Sequence, residues 1–226
     1  MNFITAVYSI MFFFGIYFTL LFILLHRRNY NQLNKYPKPM RYPSVSFIVP
    51  AYNEEKNISR TIKGLLKIDY PKNKVEIIVV NDGSTDKTGE EIKKFLRYKK
   101  VTYLEKKNTG KADSLNKGIK IAKGELIAVV DADSYPKEDA LKKIVGFFND
   151  EKVAAVTSRV LVKNKDVLLN KFDTMDYSII AWTRKLLDFV DSVYVTNGPL
   201  SVYRKEIILK IGGFDPKNLT EDIEIT

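Results

Sequence analysis

The sequence predicts an α/β fold with a mostly parallel central sheet, preceded by one transmembrane helix. Three observations lead to this class. Short apolar runs alternate with amphipathic stretches over residues 45–162. The runs are continuously apolar, which is typical of strands covered on both faces. A stretch of 23 residues without a charged side chain, Phe3–Leu25, lies near the N-terminus. The remainder of the 226-residue chain is long enough for one domain with a sizeable core.

The apolar stretch near the N-terminus is predicted to cross a membrane. A helix rising about 1.5 Å per residue would span the roughly 30 Å hydrocarbon core. No basic segment precedes the stretch and no small-residue cleavage site is evident, which argues against a cleaved signal peptide. By the positive-inside rule, the basic residues that follow it place the rest of the chain in the cytoplasm: Arg27, Arg28, Lys35, Lys38 and Arg41. We predict a single-pass anchor in the cell membrane over residues 1–28; a buried helix of a soluble protein is the alternative.

Residues 29–44 hold three prolines and are predicted to be a linker. From there one domain is predicted over residues 45–226. Its strands are predicted at 45–49, 75–80, 101–104, 126–130 and 153–162, and its helices at 57–66, 88–98, 111–122 and 137–148. An amphipathic helix over 166–190 and short strands within 194–204 follow. Because ligands of open α/β sheets bind beyond the carboxyl ends of the strands, functional residues are expected just after each strand.

Composition excludes several kinds of site. The chain has no cysteine and one histidine, His26, beside the apolar stretch. Thiolate metal sites and a cysteine nucleophile are therefore excluded, and Ser-His-Asp catalysis and histidine-based zinc sites are disfavoured. A catalytic base must be Asp, Glu, Lys or Tyr. The net charge of +10 suits an anionic partner such as nucleic acid, a membrane surface or a phosphorylated substrate, but it also fits a solvated lysine-rich surface.

The first predicted strand ends in "VPAYNEEKN". Pro50 is expected to stop the ladder, because proline has no N–H to donate. Asn53 or Asn57 is a candidate cap of the next helix. Capping does not explain Tyr52 and Glu54, an aromatic residue and an acid at the edge where ligands bind.

The second predicted strand ends in "VVNDGSTDKT". Gly83 permits a tight turn, and Ser84 or Thr85 is a candidate helix cap. These roles leave Asn81 and Asp82 unexplained. An acid at such a strand end can accept a hydrogen bond from a base or a ribose.

Two further strand ends carry charged residues. In "KKNTGKADSLNKG", Lys111 begins a helix after a glycine, as in a phosphate cradle, although this stretch taken alone favours a solvated helix lysine. In "AVVDADSYPKED", Asp131 and Asp133 are suited to binding Mg²⁺ or Mn²⁺. The alternative is that Asp133 or Ser134 caps a helix beginning near Pro136, and both roles are compatible. A final stretch, "NLTEDIEIT", offers the acids of a Thr-Glu-Asp sequence, which are also ordinary in a first helical turn.

The stretches occur in an order that resembles family 2 glycosyltransferases. The motifs are "VPAYNEE", "VVNDGSTD", "NTGKADSLNKG", "VVDADS", "NGPLSVYRKEIILKIGGF" and "TED", and they cover residues 45–226 almost continuously. The nearest resemblance is to membrane-anchored synthases of the cellulose, hyaluronan and poly-N-acetylglucosamine type. This resemblance implies a GT-A fold, a UDP-sugar donor, Mg²⁺ or Mn²⁺ as cofactor, and inversion at the anomeric carbon. The implied acceptor is a saccharide or a lipid-linked acceptor, and no nucleic acid is expected as a partner.

The same resemblance implies roles for individual residues. It assigns the uracil and ribose to Tyr52, Glu54 and Asp82, and the diphosphate region to Lys111. Asp131 would contact the nucleotide-sugar, Asp133 would bind the metal, and Asp222 would act as general base. The remaining implied residues are Pro50 on the nucleotide side and, on the acceptor side, Asn197, Gly198, Arg204 and Glu221.

One departure from the family pattern concerns the end of the chain. Processive members carry a Gln-x-x-Arg-Trp motif and further transmembrane helices after Thr-Glu-Asp, whereas this sequence ends four residues after Asp222. We therefore expect it to be C-terminally truncated, with more helices in the full protein. The alternatives are a transferase moving a single sugar to polyprenyl phosphate and a non-catalytic nucleotide-sugar-binding subunit. A nucleotidyltransferase is disfavoured, because it would carry a glycine-rich loop where this chain has "VPAYNEE".

Overall fold

The computed structural model describes residues 2–162, 168–193, 195 and 199–217. The strands are β1 Val45–Ala51, β2 Val75–Asp82, β3 Val101–Lys106, β4 Leu126–Val130, β5 Ala155–Thr157 and β6 Leu200–Arg204. The helices are α1 Phe3–Asn29, α2 Ile58–Leu66, α3 Thr88–Lys93, α4 Lys111–Ile121, α5 Ala140–Val145, α6 Leu168–Asp188 and α7 Lys205–Lys210. Short 3₁₀ turns occur at Tyr30–Gln32, Lys72–Lys74 and Gly146–Asn149.

The chain divides into two compact units. One comprises Met1–Lys35 and Arg159–Val193, and the other comprises Tyr36–Ser158 and Tyr194–Thr226. The predicted domain limits, 1–28, 29–44 and 45–226, stay a prediction. Within the second unit, however, residues 36–44 are attached rather than free: the Met40 amide donates to Oδ1 of Asn149 at 3.0 Å, and the Tyr70 hydroxyl donates to the Pro43 carbonyl at 2.7 Å.

The first unit is built from α1 and α6. Asn2 caps α1, accepting a hydrogen bond from the Thr5 amide at 2.9 Å. Within the described part of the chain, α1 is the one helix long and apolar enough to cross a membrane. Trp182 of α6 contacts α1. Its indole N–H donates to Nδ1 of His26 at 3.1 Å, and its ring lies 5.9 Å from that of Phe22.

The second unit contains one mixed sheet in the order β3-β2-β1-β4-β6-β5, counting the strands of the described residues. β1 to β4 are mutually parallel, and β6 runs antiparallel to both β4 and β5. The predicted class, a mostly parallel α/β sheet, is therefore confirmed. β2 and β3 extend the sheet on one side of β1, whereas β4 extends it on the other. The carboxyl ends of β1 and β4 consequently flank the crevice in which α/β sheets bind ligands.

Alternating side chains of the strands fill two cores, one on each face of the sheet. Phe47 and Val49 of β1 point into the larger core with Ile62 of α2. Ile48 points the opposite way and packs with Leu115 of α4. Successive side chains of a strand point to opposite faces of the sheet. Because both faces are buried, the strands are apolar throughout.

Three local expectations are wrong. Pro50 does not stop the ladder: β1 continues to Ala51, with Pro50 opposite Val80 of β2. On the other side of β1, pairing with β4 ends at Ile48, so the missing N–H of Pro50 is not needed there. The predicted helix 88–98 ends at residue 93. The predicted strand 153–162 shrinks to Ala155–Thr157, because only these residues pair with β6.

The expected helix caps are also wrong. The helix after β4 begins at Ala140 rather than near Pro136, so Ser134 is not its cap. Instead the Ser134 amide donates to the Asp131 carbonyl at 3.0 Å in a turn. Asn57 does precede α2, but its side chain makes no capping bond to that helix.

Candidate active site

The loops that follow β1 and β2 are joined by hydrogen bonds. The Thr85 amide donates to Oδ1 of Asn53 at 2.9 Å, and the Asn53 amide donates to Oγ of Ser84 at 3.0 Å. Asn53 has a φ of 54°, in the left-handed region that asparagine tolerates better than most residues. The resulting turn leaves Tyr52 half exposed, at 48%.

Glu54 is fixed by the same pair of loops. Its amide donates to Oγ1 of Thr88 at 2.7 Å, and its carboxylate accepts from Nδ2 of Asn57 at 2.9 Å. Nearby, partial desolvation would raise the pKa of Asp86, but hydrogen bonds from Thr88 and from the Glu55 amide lower that pKa overall. Asp86 therefore stays ionised at neutral pH and holds the two loops together.

Asp82, the last residue of β2, is buried beneath this edge. Its Oδ1 atom accepts from the Lys106 ammonium and from the Thr109 amide at 3.0 Å. Its Oδ2 atom accepts from the Gly110 amide at 2.9 Å. The side chains of Asp82 and Lys106 are only 6% and 5% exposed. Three donors thus hold this buried carboxylate in one orientation.

The loop after β3 lies directly on Gly83. A Cβ atom at this position would come within 2.7 Å of the Asn108 amide nitrogen, and the φ of Gly83 is 69°. Both facts require glycine here. The close approach positions the backbone amides of the loop over the Asp82 carboxylate.

Asp113 extends this network into α4. Its carboxylate lies 3.1 Å from the Lys106 ammonium and 3.2 Å from that of Lys117. The hydrogen bond donated by the Thr109 hydroxyl, together with these two ammonium groups, lowers the pKa of Asp113 to about 2. The cluster of Asp82, Lys106, Thr109 and Asp113 thus carries two negative charges around one buried ammonium.

Asp131 and Asp133 lie at the end of β4, on the other side of the crevice. Between them Ala132 is buried, and its carbonyl accepts from Oγ1 of Thr61 at 2.6 Å. Asp131 remains 39% exposed as a side chain, and Asp133 is exposed. The alternation turns the two acids away from the core and leaves carboxylate oxygens accessible to a ligand.

Lys111, the first residue of α4, reaches this pair of acids. Its ammonium lies 3.2 Å from Oδ1 of Asp131. A lysine at the start of a helix is well placed for an anion, because the helix N-terminus carries partial positive charge. The predicted phosphate-side lysine and the predicted nucleotide-sugar acid therefore meet.

The donor set at the end of β4 suits Mg²⁺ or Mn²⁺, which take oxygen ligands and usually keep several waters. Within the described residues no group of three or more His, Cys, Asp or Glu side chains is gathered for a metal ion. Among the described residues, Asp131 and Asp133 are the carboxylates at the end of β4 that could hold such a cation.

The acceptor-side residues are described only in part. Asn197, Gly198, Glu221 and Asp222 lie outside the described residues. The Arg204 guanidinium donates to the carbonyls of Val153 at 2.8 Å, Phe148 at 2.9 Å and Asp150 at 2.8 Å. These bonds join β6 to the segment before β5, and the acceptor role of Arg204 stays a prediction.

Sequence reasoning missed three side chains of the Asp82 network: Lys106, Thr109 and Asp113. Lys106 stands in "EKKN", in a chain with 37 Lys and Arg residues, so nothing in the local pattern distinguishes it from a solvated lysine. Its parallel pairing opposite Asp82 is the signal that identifies it, and that pairing requires the register of β2 and β3.

Comparison with known proteins decides the family. The profile described as glycosyl transferase family 2 matches residues 46–212. The chain belongs to this family. The match includes the ends of β1, β2 and β4, so the family resemblance read from the motifs is confirmed.

Two curated relatives illustrate the similarity. The chain is 37% identical over 195 residues to a probable glycosyltransferase, YdaM, of Bacillus subtilis, covering 81% of this chain and 46% of that protein. It is 32% identical over 185 residues to the poly-beta-1,6-N-acetyl-D-glucosamine synthase of Staphylococcus epidermidis, covering 80% and 44%. The chain therefore spans less than half the length of these relatives.

Solved structures confirm the GT-A fold. A mannosyltransferase of Pyrobaculum calidifontis, PcManGT, in complex with GDP-Man and Mn²⁺, has a TM-score of 0.71 at 27% identity, covering 91% of this chain and 58% of that one. Residues 1–349 of TarS from S. aureus in complex with UDP-GlcNAc have a TM-score of 0.58 at 25% identity, covering 80% and 52%. Each of these two structures contains a nucleotide-sugar.

Proposed function

We propose that the chain is the donor-binding part of a membrane-anchored, inverting glycosyltransferase. It would move a sugar from a UDP-sugar to a saccharide or lipid-linked acceptor. The observation that carries the proposal is the arrangement at the sheet edge, where the ends of β1, β2 and β4 lie side by side. Tyr52 follows β1, Asp82 is the last residue of β2, and the Asp131–Asp133 turn follows β4. These ends border the crevice that α/β sheets use for ligands.

Each of these residues would bind a different part of the donor. Tyr52, half exposed, offers a ring for stacking on a base, and Asp82 offers a carboxylate oxygen for a base or ribose donor. The Lys111 ammonium offers a charge for the diphosphate, exchanging its contact with Asp131 for one with phosphate oxygens. Each interaction holds the donor in place before transfer.

Asp133, with Asp131 beside it, would hold Mg²⁺ or Mn²⁺. When bound, the cation would stabilise the negative charge that develops on the departing diphosphate. Asp222, in the family's Thr-Glu-Asp pattern, would accept the proton of the attacking acceptor hydroxyl. Attack opposite the leaving group inverts the anomeric carbon in one displacement. A chain without cysteine is consistent with a mechanism that needs no such nucleophile.

The cellular arrangement is part of the proposal. α1 would anchor the protein in the cell membrane, and the basic residues after it would keep the α/β unit in the cytoplasm. A topology reporter fused after Arg41 should be cytoplasmic. An extracellular reporter would overturn this orientation.

Calorimetry of UDP binding tests the donor site. We expect Mn²⁺ to tighten UDP binding and D133A to remove that enhancement, while the control D139A, in the same connection between β4 and α5, keeps it. Equal UDP affinity in EDTA and in Mn²⁺ would contradict the metal assignment. In the full-length protein, D222N should bind UDP but lose transfer; retained turnover would remove Asp222 as the base.

A further inference from the structure

We propose that Lys106 makes the base subsite selective for a nucleobase that offers Asp82 one N–H, such as uracil, over guanine, which offers two. This inference rests on the proposed function, since it concerns the base of the same donor. Proteins of this fold include one solved with GDP-Man and one with UDP-GlcNAc. The choice between the two bases must therefore come from local groups.

The hydrogen bonds of Asp82 occupy most of the acceptor positions of its carboxylate. A carboxylate accepts at two oxygens with about four lone-pair positions. Oδ1 accepts from Lys106 and from the Thr109 amide, which fills both of its positions. Oδ2 accepts from the Gly110 amide alone. A ligand can therefore use one position, on Oδ2.

Burial prevents the carboxylate from offering more. The Asp82 side chain is 6% exposed, and the loop that supplies the two amides is pressed against Gly83. Turning the carboxylate to expose both oxygens would leave the amides and a buried ammonium without an acceptor. Buried donors without a partner are costly, so this rearrangement is strongly opposed.

Lys106 cannot move aside to make room. Its ammonium also contacts the Asp113 carboxylate at 3.1 Å, the Thr109 hydroxyl and the Lys107 carbonyl at 3.2 Å. With its side chain 5% exposed, it has no solvent to turn into. The ammonium therefore occupies Oδ1 permanently.

The chemistry of the bases then decides the selectivity. Guanine presents N1–H and the 2-amino group side by side, a pair that matches both oxygens of a carboxylate. Uracil presents only N3–H between two carbonyls, which matches one oxygen. At this site the second N–H donor of guanine would face Oδ1, which is already filled, and would stay unpaired. A missing hydrogen bond of this kind weakens binding by about tenfold or more.

The inference is tested with nucleoside diphosphates on the full chain in detergent micelles with MnCl₂. Isothermal titration compares UDP, GDP and IDP, because hypoxanthine is guanine without the 2-amino group. We expect UDP and IDP each to bind about tenfold tighter than GDP. The ratio of the IDP and GDP affinities measures the effect of the second donor alone, because both bases are purines. This comparison needs no variant.

Variants then assign the effect to Lys106. K106M should bring IDP and GDP within about threefold, because Oδ1 becomes free for the second donor. K106R should restore the preference. K117M is the matched control, since Lys117 contacts Asp113 at 3.2 Å in the same network, and it should keep the wild-type ratio. A purely structural role of Lys106 would weaken all three nucleotides equally.

The possible outcomes distinguish a failure of this inference from a failure of the proposed function. If the wild-type chain binds GDP as tightly as IDP and UDP, or if a folded K106M keeps the wild-type ratio, the inference is wrong while the donor site stands. If the wild-type chain binds none of the nucleotides, the proposed function fails and the inference fails with it. Should K106M not fold, as a melting curve would show, the wild-type IDP-to-GDP ratio decides alone.

Discussion

The Lys111 ammonium lies 3.2 Å from Oδ1 of Asp131, so the helix after β3 places a cation beside the acid that ends β4. The two strands are not neighbours, because β2 and β1 lie between them in the sheet. The contact therefore closes one side of the crevice with a charge pair that both a diphosphate and a divalent cation can engage.

Replacing Lys111 tests whether its charge serves the diphosphate. We expect K111M to weaken UDP binding about tenfold and to leave uridine binding unchanged, because only UDP offers an anion to the ammonium. K120M, an exposed lysine on the same helix, is the matched control. Parallel losses for UDP and uridine would contradict the assignment.

Acid titration should reveal the contribution of Asp113 to stability. The pKa of Asp113 is lowered to about 2 in the folded chain, below its unfolded value of about 3.9. A lowered acid pKa stabilises the fold above the unfolded value, and this stabilisation is lost as the pH falls through the folded value. We expect wild type to exceed D113N by about 1 kcal/mol at pH 7 and the difference to shrink below pH 4. Urea unfolding from pH 7 to pH 3 measures it, and a difference independent of pH would count against the network.

Two glycine-to-alanine changes should have opposite effects on stability. At Gly118 in α4, a Cβ would lie 2.6 Å from Cγ2 of the buried Ile48, whereas at Gly64 in α2 nothing lies within 4 Å. We expect G118A to lower the free energy of unfolding by about 1–3 kcal/mol through overpacking. G64A should raise it by about 0.5–1 kcal/mol, because alanine favours the helix more than glycine does. Equal effects in denaturant titration would show that α4 does not pack this closely on the sheet.

Arg204 is expected to contribute to stability through its guanidinium fork. R204K should lower the free energy of unfolding by about 2 kcal/mol, because one ammonium cannot replace the donors to the carbonyls of Phe148, Asp150 and Val153. R97K, which alters an arginine stacked on Tyr98 at the surface, should change it by less than about 0.5 kcal/mol. If R204K melts like wild type yet changes transfer in the full-length protein, the residue acts on the acceptor instead.

The sequence predicts the sheet and the positions of its ligand-side residues well, for a physical reason. Strands covered on both faces must be apolar throughout, so β4 stands out at Leu126–Val130 with its predicted limits. Ligand-type residues interrupt this pattern where each strand ends, as at Asp131 and Asp82. The family motifs then connect these ends, and the match over residues 46–212 confirms that connection.

Other features of the site depend on contacts that no local pattern encodes. The φ of Asn53 follows from its bonds to Ser84 and Thr85, which belong to another loop. Lys106 acquires its role from the register of two strands and from a loop that covers it. The expected cap at Ser134 is wrong because the residues after β4 form a turn, and the Glu138 carbonyl accepts from the Asp69 amide at 2.9 Å instead of starting a helix.

The position of β6 has a consequence for synthesis of the chain. β6 is the last strand along the described sequence, yet it lies between β4 and β5. Until residues 200–204 leave the ribosome, the backbone edge of Leu126–Val130 on that side has no partner, and the strand is entirely apolar. Such an edge can recruit strands of other chains. Nascent chains that stall before residue 200 should therefore depend on chaperones to stay soluble, and release past residue 204 should end that dependence.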